Sequence, residues 1–225
     1  MPRIPVLLVV ACCAFGPASE VRGQTVPALE VPEGLTATDW SGVQAAYEAG
    51  RHAARATDGG YRARNPGQRW TTHFDGRGFT TTPDTGGWSW GLELASHGRG
   101  GDRHPVTVPH AVTADGRRVA YDWDERLTEW WVNDARGLEH GYTLHARPAG
   151  TTGELTLDLT IRGDLEAAVR GDGRDVRFVD AEGGTVLTYS GLTVFDAQGR
   201  ELAARFERLP GGLRLTVDWF TENRP

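Results

Sequence analysis

The chain contains no lysine, so arginine supplies every permanently basic side chain, and isoleucine is nearly absent. Both cysteines, Cys12 and Cys13, lie near the amino terminus, so the rest of the chain has no disulfide and no thiolate metal site. The arginines are interspersed with acidic residues and the formal net charge is −6, which makes nucleic acid an unsuitable partner. A second apolar run long enough to span a bilayer is also missing.

The amino terminus has the pattern of an export signal. A single early arginine precedes an apolar run from Ile4 to Phe15, which is too short to span a bilayer. We predict a signal peptide over residues 1–23, with small-residue cleavage sites at 16–18 and at 21–23 just before Gln24. An alternative is a lipid anchor on Cys12, since Val-Val-Ala-Cys resembles a lipobox. Both readings predict an exported protein, extracellular or at the cell surface.

One helix and an otherwise β-rich chain are predicted after the leader. Residues 24–37 contain proline and glycine without periodicity and indicate a linker. Thr38 or Asp39 can cap a helix that ends near Gly50. The apolar residues at helical spacing are Trp40, Val43, Ala46 and Tyr47.

Beyond the helix the hydrophobic period changes to two, with turn residues about every ten positions, which predicts a mostly β, antiparallel β-sandwich of one or two lobes. The alternation predicts that Leu155, Leu157, Leu159 and Ile161 face the core while Thr156, Asp158 and Thr160 face solvent. Further strands are predicted over 119–123, 176–179, 186–189, 192–195 and 213–219. A break at Pro148-Ala149-Gly150 separates an aromatic-rich lobe, 38–147 with the helix, from a second lobe, 148–225.

Several local strings are shared with one family. They are Tyr47 to His52, Arg64 to Gln68, Phe74 to Phe79, Gly86 to Leu92, Glu129 to Asn133, Gly137 to Thr143 and Tyr189 to Val194. With them the chain resembles the amino-terminal module of exported bacterial proteins that carry FG-GAP, VCBS or SBBP-type repeats, which form integrin-like β-propellers. The likeness covers residues 38 to 220.

The resemblance implies a module without catalytic residues that caps or presents a repeat array. Its partner would be a downstream propeller domain, a cell-surface protein or a glycan. In the family a strand leading into the propeller usually follows, whereas this sequence stops at Asn223-Arg224-Pro225. The sequence leaves open a stand-alone version and a truncated reading frame.

Polar clusters offer weaker candidates for chemistry. Paired carboxylates are what glycoside hydrolysis requires, and a calcium site needs several oxygen ligands. The acidic residues in question are Asp122, Asp124, Glu125 and Glu129, which we interpret chiefly as a solvated turn. The histidines considered for zinc are His104, His110, His140 and His145. Because positions 140 and 145 fall on opposite faces of a strand, a zinc site there is disfavoured.

The tryptophans give the clearest candidate for a ligand site. Trp88 and Trp90 are two residues apart and project to one face of a strand, whereas Trp130 and Trp131 project to opposite faces. Exposed indoles can stack on sugar rings, but large aromatics mostly pack in cores. We therefore expect an exported, non-enzymatic β module without cofactor, catalytic or metal residues. The alternative is a carbohydrate-binding module at Trp88 and Trp90 and, less favoured, a glycoside hydrolase.

Overall fold

The computed structural model describes residues 13–15, 31–146 and 153–218. Most of the predicted leader, the first half of the predicted linker, the break at Pro148-Ala149-Gly150 and Trp219 lie outside these residues. Within them the secondary structure is one helix and seventeen strands.

The bounds are as follows. The helix is α1 (Ala37–His52) and the strands are β1 (Cys13–Phe15), β2 (Ala54–Thr57), β3 (Gly60–Asn65), β4 (Trp70–Phe74), β5 (Phe79–Pro83), β6 (Trp90–Arg99), β7 (Asp102–Pro105), β8 (Ala111–Asp115), β9 (Arg118–Asp122), β10 (Leu127–Asp134), β11 (Gly137–Leu144), β12 (Leu155–Gly163), β13 (Glu166–Val169), β14 (Val176–Val179), β15 (Thr185–Ser190), β16 (Ala204–Leu209) and β17 (Gly212–Val217).

Helix α1 begins with a capping box. The hydroxyl of Thr36 accepts a hydrogen bond from the amide of Asp39, and the Asp39 carboxylate accepts one from the amide of Thr36. The predicted caps, Thr38 and Asp39, are therefore wrong, because the reciprocal pairing of Thr36 with Asp39 moves the start two residues earlier. The helix also continues past Gly50 to His52, which is the residue of the helix that is buried.

One long sheet forms the base of the fold. Its nine strands follow the order β16, β17, β12, β6, β5, β4, β3 and β2, with β7 pairing β6. All its pairings are antiparallel. Strand β6 precedes the predicted break between lobes and β12 follows it, yet the two pair along the whole of β12. The two halves of the chain therefore share this sheet.

Two four-stranded sheets cover the long sheet. The first has the order β11, β10, β9 and β8, and Trp131 of β10 packs on Phe74 and Phe79 beneath it. The second has the order β1, β15, β14 and β13, and Phe178 of β14 packs on Trp90 of β6. The predicted antiparallel β-sandwich with one amino-terminal helix is thus confirmed.

The predicted alternation holds in part. Leu155, Leu157 and Leu159 are buried and Thr160 is exposed, as predicted. Thr156, however, is only 7 % exposed, so its predicted exposure is wrong. Its neighbours across the sheet, Gly98 and Thr216, are also buried, so the polar face of β12 is shielded at this end.

One predicted strand does not form as such. Residues 192–195 make an isolated bridge between Phe195 and Glu201 rather than a strand in a sheet. Leu192 and Val194 are nevertheless buried. Their apolar character therefore reflects core packing by irregular backbone, which a short run of alternating residues does not distinguish from a strand.

Candidate functional site

A buried carboxylate lies at the centre of the first cover sheet. Glu129 of β10 is 0 % exposed. Its Oε2 accepts a hydrogen bond from Nε1 of Trp123 at 2.9 Å. Its Oε1 lies 2.8 Å from Nε2 of His140 and accepts a hydrogen bond from the Tyr142 hydroxyl at 2.8 Å. Three donors thus converge on its two oxygens, an arrangement that suits an acceptor-only, ionised carboxylate.

The network continues into the second cover sheet through His140, which is 1 % exposed. Its Nδ1 lies 3.0 Å from the hydroxyl of Tyr189 on β15. Burial, followed by the charge of Glu129, holds the pKa of the Tyr142 hydroxyl well above its ordinary value, so Tyr142 stays a donor. Because water is excluded, these bonds are worth more than on the surface, and each broken one costs more.

The β10–β11 hairpin sets this geometry. Its register places Glu129 opposite Tyr142 and Trp131 opposite His140. Side chains alternate along a strand, so Glu129 and Trp131 project to one face, together with their partners on β11. The ring of His140 stacks on Trp131 at 5.0 Å between centroids. The histidine is therefore held by an aromatic plane as well as by two hydrogen bonds.

Trp130 occupies the opposite face of the same hairpin. Its Nε1 donates to the Thr143 hydroxyl, and the guanidinium of Arg118 lies 4.7 Å from its ring centroid. The cross-strand partner is Gly141, where a Cβ would stand 2.3 Å from the ring. Glycine at this position allows the indole to lie flat on the neighbouring strand. The predicted opposite orientation of Trp130 and Trp131 agrees with these contacts.

The other acidic residues considered for catalysis have separate partners. Asp122 accepts a hydrogen bond from the Thr128 hydroxyl at 2.7 Å. Asp124 accepts from the amides of Arg126 and Leu127, which closes the turn between β9 and β10. Glu125 is exposed. Glu129 is thus buried in the core, whereas Asp122, Asp124 and Glu125 lie at or near the protein surface.

The histidines considered for zinc are dispersed. His140 bonds to Glu129, whereas Nε2 of His145 lies 2.8 Å from the Thr128 hydroxyl. His104 lies 3.4 Å from a carboxylate oxygen of Asp102, and His110 is exposed. Over residues 31–146 and 153–218 no three histidine, cysteine or acidic side chains are placed to hold a metal ion.

A small pocket lies beside the β6–β7 hairpin. The centroid of the His97 ring is 5.9 Å from that of His104, and Arg126 also lines the pocket. Burial lowers the pKa of His97; the carboxylate of Asp124 opposes this, and the charges of His104 and Arg126 add to it. The ring of His97 is therefore held neutral at lower pH than an exposed histidine.

The two tryptophans that are candidates for a ligand site have different environments in the structure. Trp90 is 1 % exposed and packs between Phe79 and Phe178. Trp88 precedes β6 and is partly buried against the core. Trp90 is thus an inter-sheet packing residue, and the pair does not form one open aromatic face. A sugar site on these residues would depend on Trp88.

A buried amide pair was not foreseen from the sequence. The side chain of Asn65 is fully buried and donates to Oδ1 of Asn133 at 2.9 Å. Asn133 in turn donates to the carbonyl oxygens of His52 and Arg64. This pair fastens the end of α1 and strand β3 to β10. The two asparagines are 68 residues apart in sequence, so no local pattern indicates the pair.

Comparison with protein-family models, with curated proteins and with solved structures gives no match. The described part of the chain contains no helix of the length and hydrophobicity needed to cross a bilayer.

Proposed function

We propose that this chain is an exported, non-catalytic β-sandwich module that acts in cell-surface or extracellular architecture or recognition. Its partner would be a repeat or propeller domain, a cell-surface protein or a glycan. The resemblance to amino-terminal modules of exported repeat proteins supports this assignment, as does the export-signal pattern of residues 1–23.

The observation that carries the proposal is the environment of Glu129. This carboxylate binds three donors within the core and, through His140, joins the first cover sheet to the second. A glycosidase needs its two carboxyl groups on either side of a substrate bond. Here the carboxylate is enclosed by Trp123, Tyr142 and His140, which use it as a structural acceptor.

A recognition surface is available on α1. Tyr47 is 65 % exposed and Val43 is 51 % exposed, and both project from the helix one turn apart. Val31 and Leu35, in the segment before the helix, are exposed large hydrophobic residues as well. Exposed apolar groups gathered in one region often mark a contact with another protein.

The alternative function is carbohydrate binding through Trp88, whose ring is only partly buried. Glycan-array binding and a glycosidase panel with the secreted protein separate the candidates. A non-catalytic module with a protein partner binds no sugar, and a non-catalytic module of either kind hydrolyses no glycoside. Sugar binding that Trp88→Ala removes while the variant stays folded would replace this proposal with the carbohydrate one. Hydrolysis lost in Glu129→Gln would replace it with the hydrolase.

Export is tested separately by the intact mass of the secreted product. A mass that matches a product beginning at residue 19 or at Gln24 supports removal of the leader. A diacylglyceryl group on Cys12 would instead assign the chain to the lipoproteins. A product that retains Met1, or that stays in the cytoplasm, would contradict the export proposal.

A further inference from the structure

The two cover sheets lie side by side on the long sheet. Strand β11 is an edge of the first, and β15 of the second lies next to the edge strand β1. Tyr189 of β15 reaches His140 of β11 at 3.0 Å, which places the two strands close together. In the described residues β11 pairs only with β10, and β15 pairs with β14 and β1. Strand β1 is therefore the element that lies between β11 of the first cover sheet and β15 of the second.

Strand β1 lies in the space between these two strands. It pairs antiparallel with β15, with residue 13 opposite Ser190, residue 14 opposite Tyr189 and residue 15 opposite Thr188. Its Cα atoms also come within 8 Å of those of β11. The space, which we call the β11–β15 slot, is thus occupied by an extended segment that continues the cover layer.

The occupant belongs to the predicted leader. Both cleavage sites, at 16–18 and at 21–23, lie after residue 15, so either cut releases β1 from the chain. Removal would take from residues 188–190 of β15 their pairing with β1, beside a buried polar network. Unpaired strand edges of this kind are where an extended peptide adds to a sheet.

We propose that the β11–β15 slot of the processed protein is a strand-acceptor site. Its occupant is an extended, uncharged and apolar segment of a second polypeptide, which pairs antiparallel with β15. The sequence Cys-Ala-Phe at 13–15 indicates this chemistry, since it is uncharged and has an N–H at every position. The strands on either side contribute buried side chains, among them Leu187, Tyr189 and Leu138, which disfavour a charged occupant. The inference rests on leader removal, which the intact mass decides independently.

Hydrogen exchange on the processed, secreted protein tests whether the slot is open. The probe is a synthetic peptide of residues 10–16 that carries Cys12→Ser. We expect exchange at the amides of residues 188–190 that face the slot to slow by about tenfold or more when the peptide is present in excess over its dissociation constant. The matched control peptide also carries Ala14→Pro, which removes a donor from the centre of the strand. It should leave exchange unchanged.

Cross-linking tests the register. The processed chain lacks cysteine, so Ser190→Cys introduces a single thiol opposite residue 13 of the bound peptide. With oxidised glutathione added as the two-electron oxidant, we expect a mixed disulfide with Cys13 of the peptide. Thr185→Cys is the control, because it lies on the same strand beyond the three paired residues and should react at the background rate.

Three results would overturn the proposal. The first is equal protection by the two peptides, and the second is equal cross-linking at 185 and 190. The third is a secreted product that retains residues 13–15, as cleavage before Cys12 would give, because the slot would then be filled by the chain itself. In that last case the export proposal would stand while the acceptor site would fall.

Discussion

The β10–β11 hairpin and helix α1 both carry large aromatic and polar residues at regular spacing, yet the fold treats them in opposite ways. The hairpin, which belongs to the first cover sheet, buries Glu129, Trp131, His140 and Tyr142 on the face that packs on the long sheet. The helix leaves Tyr47 and most of its other residues exposed and is fastened mainly at its end. The hairpin therefore contributes to the core, whereas most of the helix surface faces solvent.

The largest effect is expected in β12, on which both halves of the long sheet depend. Leu157→Asp should abolish folding, because an unpaired buried carboxylate costs several kcal/mol against a typical stability of about 5 to 15 kcal/mol. Thr160→Asp on the same strand is the control and should cost about 0.5 kcal/mol, since Thr160 is exposed. Circular dichroism melts compare them. Equal melting temperatures would contradict the register of β12.

The next largest effect is expected at Trp90, which packs between Phe79 of the long sheet and Phe178 of the second cover sheet. Trp90→Ala should cost about 3 to 5 kcal/mol, because it removes contacts with Phe79 and Phe178 and leaves a cavity. Trp88→Ala should cost about 1 kcal/mol, since its ring is only partly buried. Chemical denaturation measures both values. Equal costs would mean that Trp88 is as much a core residue as Trp90.

The smallest effect on stability is expected at α1. Tyr47→Ala should change the free energy of unfolding by less than about 0.5 kcal/mol, because the side chain is mostly exposed. Trp40→Ala, on the same helix but partly buried, should cost more. Urea denaturation of the two variants measures the difference. A loss at Tyr47 that equals or exceeds the loss at Trp40 would show that the exposed face supports the fold.

The sequence predicts the β-rich class and most strands because alternation and turn residues are local signals. It also places Leu157 in the core for this reason. The hydrogen bond between Glu129 and His140 depends on the register of the β10–β11 hairpin. A two-residue loop between Asp134 and Gly137 is a sequence signal for that register. The contact of His140 with Tyr189 joins residues far apart in sequence, so no local pattern contains it. The burial of Thr156 likewise depends on neighbours from other strands.

Glu129 is the residue on which the non-catalytic, architectural account depends most. Glu129→Gln puts an amide N–H among three converging donors, so at least one buried donor loses its acceptor. Breaking a buried charged group of this kind costs about 3 to 5 kcal/mol.

The most direct test is the free energy of unfolding of Glu129→Gln, measured in urea beside Glu125→Gln, whose side chain is exposed. The account predicts a loss of about 3 kcal/mol or more for Glu129→Gln and less than about 0.5 kcal/mol for Glu125→Gln. A Glu129→Gln protein as stable as the parent, but without a hydrolytic activity that the parent possesses, would contradict it.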